Sequence, residues 1–235
     1  IRTDKLFDNY ILHYYERMLM IYFPKNKMRN FLSRNFHVSN REVLDIAYNK
    51  NKGIILLGMH MGAQEMVLPW LGLNGYSVTG LARIKTQKLR NDVRKKINKT
   101  KDSGDIDFIE AGFLSLWTLR DRLRKNNVIF MACDEAKIED VNRPVKIKLL
   151  DKYYYFEMRG LLTFLECAGN SEILFGTILR SGKFKYNINF ENVNIENTHD
   201  YIEGLKQRIS ELIEENLLKY PEQWFQWQYW NKIKA

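Results

Sequence analysis

The stretch from Gly53 to Glu65, Gly-Ile-Ile-Leu-Leu-Gly-Met-His-Met-Gly-Ala-Gln-Glu, constrains this chain more than any other. It follows the turn signal Asn51-Lys52-Gly53 and opens with a short apolar run that does not alternate. Such a run reads as a strand buried on both faces, the kind that parallel sheets contain. The run stops at His60, Gly62 follows, and helical spacing continues to about Leu73. A polar residue at the carboxyl end of a buried strand, just before a helix, stands where open α/β sheets bind their ligands. Glu65 comes five residues later, and a bend at Gly62 would bring its carboxylate to the imidazole. A histidine backed by a carboxylate is a general base with a fixed tautomer and a stabilised charged form. The same histidine also has a plain reading, as a satisfied structural residue beside a strand. Metal ligation is the weaker reading, because no second His or Cys stands at ligand spacing.

The pattern around this stretch predicts an α/β fold with a mostly parallel central sheet flanked by helices. Residues 4–36 read as an amphipathic helical segment broken at Pro24, with Leu6, Phe7, Tyr10, Ile11, Tyr14, Met18, Ile21 and Phe23 at helical spacing. This segment either packs on the core or lies in a membrane interface. Ser39-Asn40-Arg41-Glu42 has the form of a capping box ahead of a helix to about Tyr48. Strands are expected at 76–81, 106–109 and 128–132, with helices at about 86–99 and 114–124 between them. The strand at 128–132 ends in Cys133-Asp134-Glu135, again polar groups at a carboxyl end. Residues 135–148 read as a polar loop at the site. A helix at 160–168 precedes an antiparallel hairpin, 173–179 with 184–190, and a helix at 199–219 follows. No linker or repeat divides the chain, so 1–235 is expected to form a single domain.

Charge and cysteine usage narrow the function classes. The net charge is +9, and nine Lys and Arg residues between Arg83 and Lys101 face only Asp92. A block of that kind suits phosphate, an acidic carrier protein, an anionic membrane or nucleic acid, or serves as a solvated helix face. Two cysteines, Cys133 and Cys167, make no disulfide framework and suit a reducing compartment. No apolar run is long enough to span a bilayer. The sequence opens at Ile1 rather than Met, which leaves open an anchor ahead of it.

Four features in chain order resemble one family: His60-x-Gly62-x-x-Glu65 after an apolar strand, Arg83 after the next, Asp134 after a third, and Pro221-Glu222-Gln223-Trp224. The chain, over about residues 40–230, resembles the bacterial lauroyl/myristoyl acyltransferases of lipid A biosynthesis, within the lysophospholipid acyltransferase-like superfamily. That family's usual His-Phe-Gly-Asn-Trp-Glu stands here as His60-Met61-Gly62-Ala63-Gln64-Glu65, and its Asp-Gln as Asp134-Glu135. Its closing Trp-x-His-Arg-Arg is replaced by Trp227-Gln228-Tyr229-Trp230-Asn231.

The resemblance implies transfer of a fatty acyl group from an acyl carrier protein or coenzyme A thioester to a hydroxyl or amine of a lipid, sugar or small molecule. His60 would be the base and Glu65 its partner. Direct attack on the bound thioester fits better than an acyl-enzyme, since no Ser or Cys adjoins His60. Oxyanion stabilisation would come from backbone N–H groups or a nearby cation. Arg83 is the candidate for binding a phosphate or carboxylate. Asp134 would orient Arg83 or the acceptor, or else cap its loop, and Gly62 is placed with the substrate-binding residues. No metal or resident cofactor is expected. The expected location is cytoplasmic, peripheral on the inner face of the cell membrane. The competing reading is a non-catalytic protein that binds an anionic membrane or nucleic acid. No helix-turn-helix, finger or RNP pattern accompanies the basic block, so nucleic acid is not expected as a partner.

Overall fold

The computed structural model describes residues 3–82, 106–110, 115–136, 144–193, 195 and 200–235. Arg83 and the basic segment to Lys101 lie outside the described residues, as do the expected helix at 86–99 and positions 137–143 of the expected loop.

The apolar runs form the expected sheet. Its seven strands are β1 (Phe36–Ser39), β2 (Ile54–Gly58), β3 (Val78–Ala82), β4 (Ile106–Glu110), β5 (Val128–Ala132), β8 (Glu172–Gly182) and β9 (Lys185–Asn192), in the order β1-β9-β8-β2-β5-β3-β4. Every pairing is parallel except β8 with β9, the expected hairpin. β2 lies at the centre between β8 and β5, with Ile54 opposite both Glu172 and Val128.

The lack of alternation in β2 reflects helices on both sides. Ile54 and Leu56 face one apolar layer. There they meet α2 (Lys25–Asn35), α3 (Arg41–Asn49) and α4 (Val67–Leu73), through residues such as Leu32, Leu44 and Trp70. Ile55 and Leu57 face the other layer. There they join α5 (Ser115–Arg124), α6 (Arg159–Cys167) and α7 (Tyr201–Lys219), through Leu119, Phe164 and Leu212. Opposite pleats thus feed opposite cores, and β2 has no exposed residue. α7 begins at Asp200, whose side chain accepts from Ile202 N and Glu203 N at 3.0 and 3.2 Å. That is the N-cap interaction that satisfies otherwise orphaned donors.

Three local expectations give way. β1 occupies 36–39, where the sequence read helix and cap, because Phe36 stacks on Tyr186 at 4.4 Å and Val38 pairs with Ile188. Long-range pairing overrides the local pattern there. The capping box does not form. Ser39 belongs to the strand, Asn40 takes the N-cap position of α3 at φ 54, and no side chain caps the helix. The third correction falls at the end of the presumed loop 135–148. Residues 145–149 are β6 (Val145–Leu149), paired antiparallel with β7 (Lys152–Phe156) in a separate hairpin. Its alternation, Val-Lys-Ile-Lys-Leu, is the ordinary signal of a half-buried strand.

The N-terminal segment divides at Pro24 as expected, into α1 (Thr3–Tyr22) and α2. Proline has no N–H to continue the ladder. α1 is fastened to the sheet by a buried ion pair. Arg180, on β8, donates through Nε to Glu16 Oε1 at 2.8 Å and through Nη1 to Asn9 Oδ1 at 3.1 Å. The two charged side chains are 3% and 2% exposed. Burial pushes the Glu16 carboxyl up, against the pull of Arg180. Such a pair contributes little against an apolar isostere, yet removing one partner strands the other charge. Arg180→Met should therefore lower stability by about 3–5 kcal/mol, read as a reduced urea midpoint; a variant as stable as the parent would show that the pair does not hold α1.

Candidate active site

β2 and β5 are neighbours, and Gly58 lies opposite Ala132 at their carboxyl ends. The residues that follow, His60 and Asp134, are therefore brought together. Asp134 accepts from the His60 backbone N–H with both carboxylate oxygens at 2.9 Å, and its Oδ1 lies 2.9 Å from His60 Nδ1. With the carboxylate ionised, Nδ1 carries the proton and Nε2 keeps its lone pair. No hydrogen bond among the described residues occupies Nε2. The His60 side chain is 29% exposed while Asp134 is fully buried. The pair thus has a buried anchor in Asp134 and a partly exposed ring in His60.

Burial disfavours the imidazolium, but the carboxylate of Asp134 overrides it, with Glu135 and Glu65 pulling the same way. The net effect holds His60 above its ordinary value. The sequence reading gave Asp134 a role with Arg83 or the acceptor, or as a loop cap. Its partner in the structure is the histidine ring.

Glu65 lies elsewhere. A 3-10 turn, Gln64–Met66, carries it toward α1. There it receives Arg17 through Nε at 2.9 Å and Nη2 at 2.9 Å, a two-pronged contact, with His13 Nε2 at 3.9 Å. The expected direct bond from Glu65 to His60 is not among the hydrogen bonds of the described residues. A guanidinium fork from α1 takes both carboxylate oxygens. Glu65 reaches His60 through its field rather than by contact. His13 packs against Phe225 in a tilted arrangement with centroids 4.6 Å apart, and burial pulls its pKa down to about 4 against the opposing pull of Glu65.

Gly62 makes the bend that the sequence required. Its φ is +57, and a Cβ there would meet Ile178 O at 2.0 Å. Its N–H donates to Gln223 O at 2.9 Å, and Ala63 N–H donates to Ile178 O at 2.9 Å. Met61 N–H donates to Met59 O at 2.7 Å. The backbone donors from His60 to Ala63 are thus all engaged inside the protein, so an oxyanion would need donors from elsewhere.

Residues 221–226 complete the site; the sequence reading used Pro221-Glu222-Gln223-Trp224 as a mark of the resemblance and gave these residues no role at the histidine. Trp224 Nε1 donates to Asp134 Oδ2 at 2.6 Å. Phe225 N–H donates to His60 O at 2.8 Å, and Met61 bridges to Trp224. Gln223 exchanges side-chain hydrogen bonds with the backbone of Arg180 at 2.8 and 3.0 Å. Ala136 N–H donates to Gln226 Oε1 at 2.7 Å. α1 docks on the same segment, with Asn9 donating to Glu222 O at 3.0 Å and Tyr10 donating to Phe225 O. Amide and indole side chains between bulky apolar ones were the signal available in the sequence for this role.

If Asp134 holds His60 in its charged form, Asp134→Asn should lower the titration midpoint of His60 to below about 6.5, the unperturbed value. Burial, the largest influence on the ring, would then be opposed only by the weaker pull of Glu135 and Glu65. The imidazole signals in NMR would report it; a midpoint that stayed elevated would assign the shift to Glu65 and Glu135 instead.

A family described as bacterial lipid A biosynthesis acyltransferase matches residues 3–230, which includes α1 and α2, ahead of where the resemblance began. No curated protein matches the chain.

Proposed function

The chain belongs to the bacterial lipid A biosynthesis acyltransferase family. We propose that it moves a fatty acyl group from a thioester donor, acyl carrier protein or coenzyme A, to a hydroxyl or amine of a lipid A-type or related lipid or sugar acceptor. The observation that carries this reading is the His60–Asp134 pair at the carboxyl edge of a parallel sheet, with Nδ1 on a buried carboxylate and Nε2 without a hydrogen bond among the described residues.

In this reading His60 Nε2 takes the proton as the acceptor oxygen or nitrogen attacks the thioester carbonyl. The tetrahedral intermediate collapses with cleavage of the C–S bond, and the thiol leaves with the proton that His60 returns. Asp134 holds the ring and stabilises the imidazolium as it forms. Glu65, the motif carboxylate, adds negative potential at longer range and keeps Arg17 at the mouth of the site. Arg83 follows β3, the neighbour of β5, and is the proposed ligand for a phosphate or carboxylate of the substrate. Gly62 lets the His60 loop approach β8, and its place with the substrate contacts rests on its adjacency to His60. The basic segment 83–101 docks an acidic donor or an anionic surface.

The test is mass spectrometry of the purified protein with acyl thioesters and lipid A-type acceptors. His60→Ala should lower turnover by about 100- to 10,000-fold, the usual worth of a general base. Glu65→Gln should lower it less, with little change in the KM for the donor. The activity of the parent should rise with pH through the His60 titration, above pH ~6.5, because only the neutral ring accepts a proton. Turnover in His60→Ala equal to the parent would end this reading.

No helix of the described residues is long and apolar enough to cross a membrane. The same proposal places the protein peripherally on the inner face of the cell membrane, through α1. Phe7, Ile11, Tyr14, Tyr15, Met18 and Tyr22 recur along one exposed side of that helix, with Phe7 and Tyr14 each 65% exposed. Aromatic side chains of this kind enter the headgroup boundary. Replacing Phe7 and Tyr14 together by Ser should weaken sedimentation with anionic vesicles by about tenfold or more. Unchanged sedimentation would take the membrane contact away from α1.

A further inference from the structure

We propose that Trp224 is a positioning residue for the His60 base: its indole N–H fixes the rotamer of Asp134 and tempers the pull of that carboxylate on the ring. The inference rests on the reading of His60 as the base.

The two oxygens of Asp134 are divided between two side-chain donors. Oδ1 faces His60 Nδ1 at 2.9 Å, and Oδ2 accepts from Trp224 Nε1 at 2.6 Å. The His60 backbone N–H bridges both oxygens. Rotation of the carboxylate would break the indole and imidazole contacts together, so each donor fixes the plane that the other needs. Asp134 and Trp224 both have no exposed surface, so water cannot replace a lost donor.

The indole is itself held. Trp227 stands at right angles to it with centroids 4.9 Å apart, and Trp230 does the same at 5.9 Å. The backbone on either side of Trp224 clamps the loop that bears His60, through Gln223 O to Gly62 N and Phe225 N to His60 O. One short segment therefore sets both ends of the pair. It fixes the ring through its loop and the carboxylate through a side chain.

The donor also has an electronic effect. A hydrogen bond to Oδ2 draws charge away from Oδ1 and weakens its hold on the imidazolium. Without it, His60 would be more basic and less well oriented. Among the described residues, the other groups that face His60 are Glu135 beside Asp134, Glu65 on the 3-10 turn, and His13 on α1 with Arg17 next to Glu65. The indole nitrogen donates to Asp134 Oδ2, so a change confined to that nitrogen acts on the ring through the carboxylate.

The experiment uses the intact, substrate-free protein and follows the His60 imidazole by NMR, assigned by its loss in His60→Ala. Trp224→Phe should move the titration midpoint up by about 0.5–1 pH unit, a fraction of what a hydrogen bond to a charged group is worth. Benzothienylalanine at position 224 keeps the bicyclic shape, replaces N–H with sulfur and should give the same shift if Trp224→Phe folds poorly. Trp230→Phe touches the same indole without reaching Asp134 and should leave the midpoint in place. In turnover, both variants at 224 should lose about tenfold in kcat with little change in KM. A midpoint unmoved or lowered at 224, or moved equally by Trp230→Phe, would overturn the proposal. Failure of the acyltransferase reading would appear separately, as no acyl transfer by the parent protein, while the titration still decided the role of the indole.

Discussion

Asp134 is a carboxylate without exposed surface, and a buried carboxylate persists only where fixed donors replace the water it has lost. Here the donors come from two distant parts of the chain: the backbone and ring of His60, and the indole of Trp224. Satisfying this one group requires the carboxyl ends of β2 and β5 to be adjacent and residues 221–226 to lie across them. The parallel pairing of β2 with β5 meets the first condition. The backbone bonds from Gln223 and Phe225 to the His60 loop meet the second.

The requirement then spreads outward. The loop after β2 approaches β8 so closely that only glycine fits at position 62. β8 in turn carries Arg180, whose backbone meets Gln223 and whose side chain anchors Glu16 of α1. α1 returns to the site with Arg17 and His13 around Glu65. A sheet edge, an ion pair and a surface helix thus form one connected structure around a single charge. Coupling of this kind keeps a rigid geometry at the His60 ring, whose Nε2 has no hydrogen bond among the described residues.

Much of the sheet was legible because its strands are short apolar runs between turn signals. Ile54–Gly58 and Val128–Ala132 announce themselves by composition, and Pro24 announces a break by its chemistry. Phe36–Ser39 did not, because a four-residue strand owes its existence to a partner 150 positions away. Lys146 and Lys148 obscured β6, although their alternation with Val145, Ile147 and Leu149 is the signal of a half-buried strand. At the site, His60 and Asp134 were visible as polar residues ending apolar strands. Which carboxylate would meet the ring was not, since sequence proximity favoured Glu65 while strand order favours Asp134. Strand order follows from the whole fold, and no local window contains it.

The clamp made by residues 221–226 also bears on how the protein is born. A ribosome releases His60 and Asp134 long before it releases Gln223, Trp224 and Gln226. β1 likewise waits for β9. A nascent chain therefore holds both halves of the His60–Asp134 pair without the element that joins them. The pair is locked in place only when the final segment has emerged and folded back. A partial translation product would carry the motif without the contacts that hold its two halves together, so the assembled His60–Asp134 pair is confined to molecules whose synthesis has run past residue 226.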